Sequence, residues 1–192
     1  MAALKHEIAQ ERPFSSMEEE AFLNLLRTSD CLHRAFQRRT RHWGITSTQY
    51  NVLRILRGAQ PQGLTCSAIG DRMITAEPDI TRLLARMKTL KLVKQQRDKR
   101  DRRIVWTRIS ATGLELLGRM DAEITRTPKE LLGHLRPEEL AELVRLLEMA
   151  RKNCVDNQGS VSRTGESCEF PEAAGKVRPK SNGAVVSQRH CQ

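Results

Sequence analysis

Between Met17 and Arg41 apolar residues return at Ala21, Phe22, Leu25, Leu26, Leu32, Ala35 and Phe36, with no proline or glycine among them. That spacing predicts a helix with one apolar face, about 35 Å long at the usual rise per residue. It closes on Arg38, Arg39 and Arg41 just before Gly44, where cations complement the helix dipole and glycine permits the stop. A second helix is expected from Thr46 or Ser47, with Tyr50, Leu53, Ile55 and Leu56 inward, until Gly58 and the Gln60-Pro61-Gln62-Gly63 turn end it.

A short helix capped by Thr65 follows, with Ala68, Ile69 and Met73 inward. After the connection Ile74-Thr75-Ala76 another helix is expected from about Glu77 to Lys91. Two helices so closely joined are a helix-turn-helix. In the second of them Ile80, Leu83, Leu84, Met87 and Leu90 share one face, while Pro78, Arg82, Ala85, Arg86 and Thr89 lie opposite, with Thr81 at the margin. Proline fits only a first helical turn, so Pro78 is expected to mark the start.

The period then changes from helical to alternating, through Val93–Arg97 and again through Ile104–Ile109, which predicts a β-hairpin. Its turn, Asp98-Lys99-Arg100-Asp101-Arg102-Arg103, is too charged to bury and should protrude. Ser110 caps a further helix carrying Leu114, Leu116, Leu117, Met120 and Ile124 up to Pro128, and a last helix follows Arg136-Pro137 with a seam of Leu140, Leu143, Val144, Leu147 and Ala150. Both seams need a partner. Residues 1–16 read as a flexible start and 154–192, rich in Ser, Gly, Glu and Pro, as a disordered tail.

Charge sharpens this picture. The 192 residues carry a formal net charge of +10, and much of it is concentrated. Between Thr65 and Ser110 twelve lysines and arginines face five acids. A helix fits the major groove of DNA, where side chains read base edges while neighbouring cations neutralise phosphates. An arginine on a protruding hairpin reaches an adjacent minor groove. The five cysteines are scattered and the first sixteen residues hold no apolar run, so neither a disulfide framework nor a signal peptide is expected. The cytoplasm is the expected compartment, with no membrane contact.

Three motifs make the reading specific. The hairpin carries Asp98-x-Arg100-Asp101-x-Arg103, followed by Ile109-Ser110 and Gly113; the second helix starts on Gly44-Ile45-Thr46-x-x-Gln49-Tyr50-x-x-Leu53; the cationic helix contains Asp79-Ile80-Thr81-Arg82-Leu83-Leu84. Together they resemble the multiple-antibiotic-resistance regulator (MarR) family over residues 18–152. The resemblance implies a mainly α fold with a small β-hairpin wing, a winged helix-turn-helix embedded in a helical dimerisation scaffold. It implies a homodimer built by helices at about 17–43 and 110–153, presenting the lobe at about 46–110 to a pseudo-palindromic operator in double-stranded DNA. The unpaired apolar seams favour the same pairing, because a symmetry mate would cover them. Trp106 departs from the family, which usually has a smaller aliphatic residue there, and is expected to enlarge packing against the scaffold.

Candidate DNA contacts are Thr65, Ser67, Pro78, Thr81, Arg82, Arg86, Lys99 and Arg100, each weighed against a plain solvated face or, for Thr65, a cap. Asp98, Asp101 and Arg103 are expected to brace the wing. Cys31 reads as a buried packing cysteine rather than a redox sensor, and His33 and His42 are spaced to lie on different sides of a helix, so no metal site is expected. No catalytic constellation or cofactor motif appears. The expected function is a transcriptional regulator, more specifically a repressor released when a small-molecule effector enters a crevice between dimer helices and winged lobe, with His33, Gln37 and Trp43 as candidate contacts. The alternative is an architectural or interaction protein that binds DNA without sequence preference.

Overall fold

The computed structural model describes residues 4–161. The chain divides into two compact units at Arg136 and Pro137. In the first, helices α1 (Leu4–Glu7), α2 (Met17–His42), α3 (Ser47–Gly58), α4 (Cys66–Gly70) and α5 (Ile80–Thr89) precede strands β1 (Val93–Arg97) and β2 (Val105–Ile109), and α6 (Ala111–Leu132) follows. The second unit contributes α7 (Pro137–Val161). The helices and hairpin form the winged helix-turn-helix arrangement expected from the sequence.

Hydroxyl caps set most helix starts. Ser16 accepts from the Glu19 amide at α2, and Thr46 forms a capping box with Gln49 at α3, with bonds of 3.1 and 2.9 Å. Thr65 and Ser110 cap α4 and α6. Each satisfies an amide that the first helical turn leaves without a partner. Val52, Leu53 and Leu56 of α3, Ile69 of α4 and Leu83, Leu84 and Met87 of α5 are fully or almost fully buried in one core, completed by Leu92, Val93 and Ile109 of the hairpin and Leu117, Met120 and Ile124 of α6.

The hairpin is antiparallel, pairing Val93 with Ile109 through to Arg97 with Val105. Its root gains an edge from the turn after α3: Leu64 and Thr107 exchange both backbone bonds, at 2.9 and 2.8 Å. Gly63 makes this possible with φ +79°, and a Cβ there would lie 2.5 Å from the Thr107 oxygen. The Arg108 guanidinium donates to the Pro61 carbonyl at 3.1 Å and to Gln96 at 3.2 Å.

Several boundaries differ from the sequence expectation. The start of the chain is not featureless: α1 buries Leu4, and Glu7 pairs with Arg27 of α2 at 3.7 Å. One helical turn is too short for periodicity to register. Helix α5 begins at Ile80 rather than Glu77, capped by Asp79, whose carboxylate accepts from the Arg82 amide at 3.0 Å. Pro78 therefore precedes the cap instead of occupying the first turn, and the connection from α4 spans residues 71–79. Leu90 is the C-cap of α5 and is exposed, not part of its buried face.

Helix α6 does not end at Pro128 but runs through it to Leu132. Burial of Met120, Ile124 and Thr127 in the turns before the proline holds the helix against the core and offsets the lost bond. Helix α7 continues past Asn153 to Val161, since no proline interrupts that polar stretch. The remainder of the expected tail, 162–192, lies outside the described residues, as do residues 1–3.

Gly63→Ala is expected to lower stability by about 2–4 kcal/mol, the cost of a left-handed alanine plus overpacking at the wing root. Chemical denaturation of the two chains measures it; equal midpoints would contradict the tight contact.

Candidate nucleic-acid interface

Helix α5 is oriented by what it buries. Leu83, Leu84 and Met87 point into the core, which turns Thr81, Arg82, Ala85, Arg86 and Thr89 to solvent. The Arg82 side chain is 85% exposed and, among the described residues, is steadied by Asp79, 3.0 Å from its Nε. Arg86 makes no ion pair or side-chain hydrogen bond among the described residues. A short polar side chain beside two long cations is the composition that reaches both base edges and phosphates.

The helix-turn-helix and the wing meet at a groove of about 620 Å³ lined by Thr65, Cys66, Ser67, Thr81, Leu84, Gln95, Arg103, Ile104 and Val105. The structure thus brings Thr65, Ser67, Thr81 and Arg103 to one cleft. Thr65 is committed to capping, accepting from the Ala68 amide at 3.3 Å, and its hydroxyl lies 3.2 Å from that of Ser67. Pro78 is exposed on the turn before α5, while Lys99 and Arg100 are exposed at the wing tip.

Asp98 organises that tip. One carboxylate oxygen accepts from the Arg100 and Asp101 amides at 2.8 and 3.1 Å, and the other from the Trp106 indole at 3.0 Å. Asp101 accepts from the Arg103 amide at 2.9 Å. The Asp101 amide, followed by the Trp106 indole and the Arg100 amide, holds the Asp98 carboxyl below its ordinary value of 3.8. The acids therefore brace the backbone. Among the described residues neither pairs with an arginine side chain, which leaves those cations outward. Trp106 also acts inside the wing, not against the scaffold, because its indole N–H donates to Asp98 across the hairpin turn.

A second groove, about 510 Å³, lies between α2, α3 and the turn before α5, lined by His33, Phe36, Ser47, Thr48, Tyr50, Asn51, Arg54, Ile55, Ile74 and Thr75. Phe36 and Tyr50 meet edge to face at 5.5 Å. Burial pushes the Tyr50 phenol up, with Arg54 opposing. Of the three residues expected at a crevice, His33 lines this groove. Gln37 and Trp43 do not: the Trp43 indole donates to Glu123 of α6 at 2.8 Å and its ring lies under Arg119 at 5.4 Å. Ion pairs Arg57–Asp121 and Arg39–Glu130 add to this tie between α2, α3 and α6. Sequence reading missed these pairs, since residues 64 and 91 positions apart carry no local signature.

Cys31 is exposed on α2, not buried as expected, because the apolar stripe of that helix passes beside it. Among the described residues no group of His, Cys, Asp and Glu is placed to hold a metal, and no helix is long and apolar enough to cross a membrane.

Comparison with known proteins shows a match of residues 43–104 to the MarR family. The transcriptional regulator HosA of Escherichia coli O157:H7 is 29% identical over 123 residues, 60% of this chain and 88% of its own. A MarR transcription factor from Planctomyces limnophilus is 36% identical, with a TM-score of 0.56 over 71% of this chain and 99% of its own. The fold is also similar to that of Bordetella bronchiseptica BpsR, whose DNA binding is regulated by 6-hydroxynicotinic acid: 23% identity, TM-score 0.63, 73% of this chain and 98% of the other.

Because the Asp98 carboxyl is held low, its bracing is expected to be complete from neutral pH down to about 3.8 and to fade as pH falls further, through the depressed folded value. Asp98→Ala should remove it at every pH. Hydrogen exchange of the Arg100 and Asp101 amides reads both effects; unchanged protection in the variant would exclude this role.

Proposed function

The chain belongs to the MarR family of DNA-binding transcription regulators, and we propose that it represses transcription as a homodimer on a pseudo-palindromic operator until a small molecule releases it. The observation that carries this reading is the orientation of α5, which buries Leu83, Leu84 and Met87 and leaves Arg82 and Arg86 exposed beside a braced cationic wing. Arg82 and Arg86, with Thr81, enter the major groove. Arg100 enters the adjacent minor groove, Lys99 meets phosphate, and Thr65, Ser67 and Pro78 border the backbone. Members of the family are regulators rather than enzymes, in keeping with a site built of cations and caps.

Pairing of two copies is supported by apolar surface left in water. Phe22, Leu25 and Leu26 are exposed on α2, as are Val144, Leu146 and Met149 on α7, and a second copy would cover them. The resulting pair sets its recognition helices about 34 Å apart, one turn of the duplex. An effector in the groove between α2 and α3 would favour another spacing and so shift the population away from DNA. Aromatic walls from Phe36 and Tyr50 with Arg54 on the lining suit a small organic acid.

Arg82→Ala and Arg86→Ala are each expected to weaken operator binding by about 1–3 kcal/mol more than binding to random duplex. Titration of both duplexes at one salt concentration measures the difference. Equal losses on the two would favour a DNA binder without sequence preference. Sedimentation of the full chain at micromolar concentration should give a dimer, and a stable monomer would overturn the paired architecture.

A further inference from the structure

Residues 74–78 lead into the recognition helix, and little holds them. Ile74 is 86% exposed despite its apolar side chain. Asp79 caps α5 from the far end of this stretch, while at the near end the Asn51 Oδ1 of α3 accepts from the Ile74 amide at 3.0 Å. Among the described residues this is the only side-chain hydrogen bond made to residues 74–78. It links positions 23 apart in sequence, so it joins α3 to the turn rather than tidying a local loop. Asn51 is also half-buried in the wall of the groove between α2 and α3, which Ile74 and Thr75 line as well.

We infer that Asn51 is a positioning residue for DNA reading: by holding the Ile74 amide it fixes the turn from which α5 starts. This rests on the proposed reading of α5 as the helix that enters the major groove. The physical ground is the short lever. The turn ends at the Asp79 cap, and Arg82 follows within one helical turn, so a shift at Ile74 displaces the side chains that meet base edges. Direct readout tolerates little displacement, whereas attraction to phosphates falls slowly with distance. Loss of the latch therefore costs specificity before it costs general affinity. An occupant of the groove that draws Asn51 Oδ1 away from the Ile74 amide releases the turn, which couples the groove to α5.

The test uses two variants of the full chain. Asn51→Asp keeps an acceptor in the same place; Asn51→Leu keeps the size and removes it. The probes are a duplex selected by the parent chain from a random-sequence pool and an unselected duplex of equal length. The ratio of the two affinities should fall about tenfold in Asn51→Leu and stay within about twofold of the parent in Asn51→Asp. The Ile74 amide should exchange faster in Asn51→Leu alone, with the Leu53 and Leu56 amides unchanged. A parental ratio in Asn51→Leu overturns the inference, as does faster exchange spread equally over the core. If the parent chain itself selects no duplex, the regulator reading fails, and Ile74 exchange alone decides whether the latch exists: unchanged exchange in Asn51→Leu rejects it.

Discussion

The rotational phase of α5 is the constraint on which the rest depends. A ten-residue helix has about three turns, and with Leu83, Leu84 and Met87 driven into the core only one angle about its axis remains. Burial of these side chains, worth roughly 1.5–3 kcal/mol each, decides where Arg82 and Arg86 point, although neither arginine takes part in it. Apolar packing thus sets the direction of the charges. The exposed Arg82–Asp79 pair trims the orientation of one side chain and contributes little to stability.

The wing solves a different problem, that of keeping like charges together on a projecting turn. Lys99, Arg100, Arg102 and Arg103 stand within five residues and repel one another. Asp98 and Asp101 counter this by occupying backbone amides, which both lowers the local positive potential and fixes the turn's shape. Because the carboxylates are satisfied by main chain and by the Trp106 indole, no guanidinium is consumed in the bracing. Farther down, the Leu64–Thr107 bridge widens the base on which the finger stands.

Much of this was legible in the sequence, for reasons that vary by element. The phase of α5 and the caps at Thr46, Thr65 and Ser110 depend on neighbours within four residues, and spacing reports them directly. The hairpin was readable because its alternation follows a helical period and breaks at a charged turn. Reading failed where distant packing overrode a local rule. Pro128 looked like a terminus, yet burial of Met120, Ile124 and Thr127 ahead of it anchors α6, which runs on to Leu132. Pro78 looked like a helix start, whereas Asp79 beside it is the better cap. Trp43 was placed by proximity to α2, but its partners Glu123 and Arg119 are some eighty positions away. Asn51 gave no signal at all, since an asparagine within a helix is unremarkable until its partner in another segment is known.

One junction ties the DNA-facing lobe to the helix behind it. After α5 the chain makes a left-handed turn at Lys91, φ 58°, and Leu92 donates back to the Met87 carbonyl at 3.0 Å. The Ser110 hydroxyl donates to the Lys91 carbonyl at 2.6 Å while accepting from the Gly113 amide, and the Ser110 amide donates to the Leu92 carbonyl. Gly113 sits so close to Leu92 that no side chain fits between. The tail of α5 and the head of α6 are therefore tied through the same three residues, Lys91, Leu92 and Ser110. A tilt of α6 at its head is felt first at the C-terminal end of α5, through the Ser110 and Gly113 contacts.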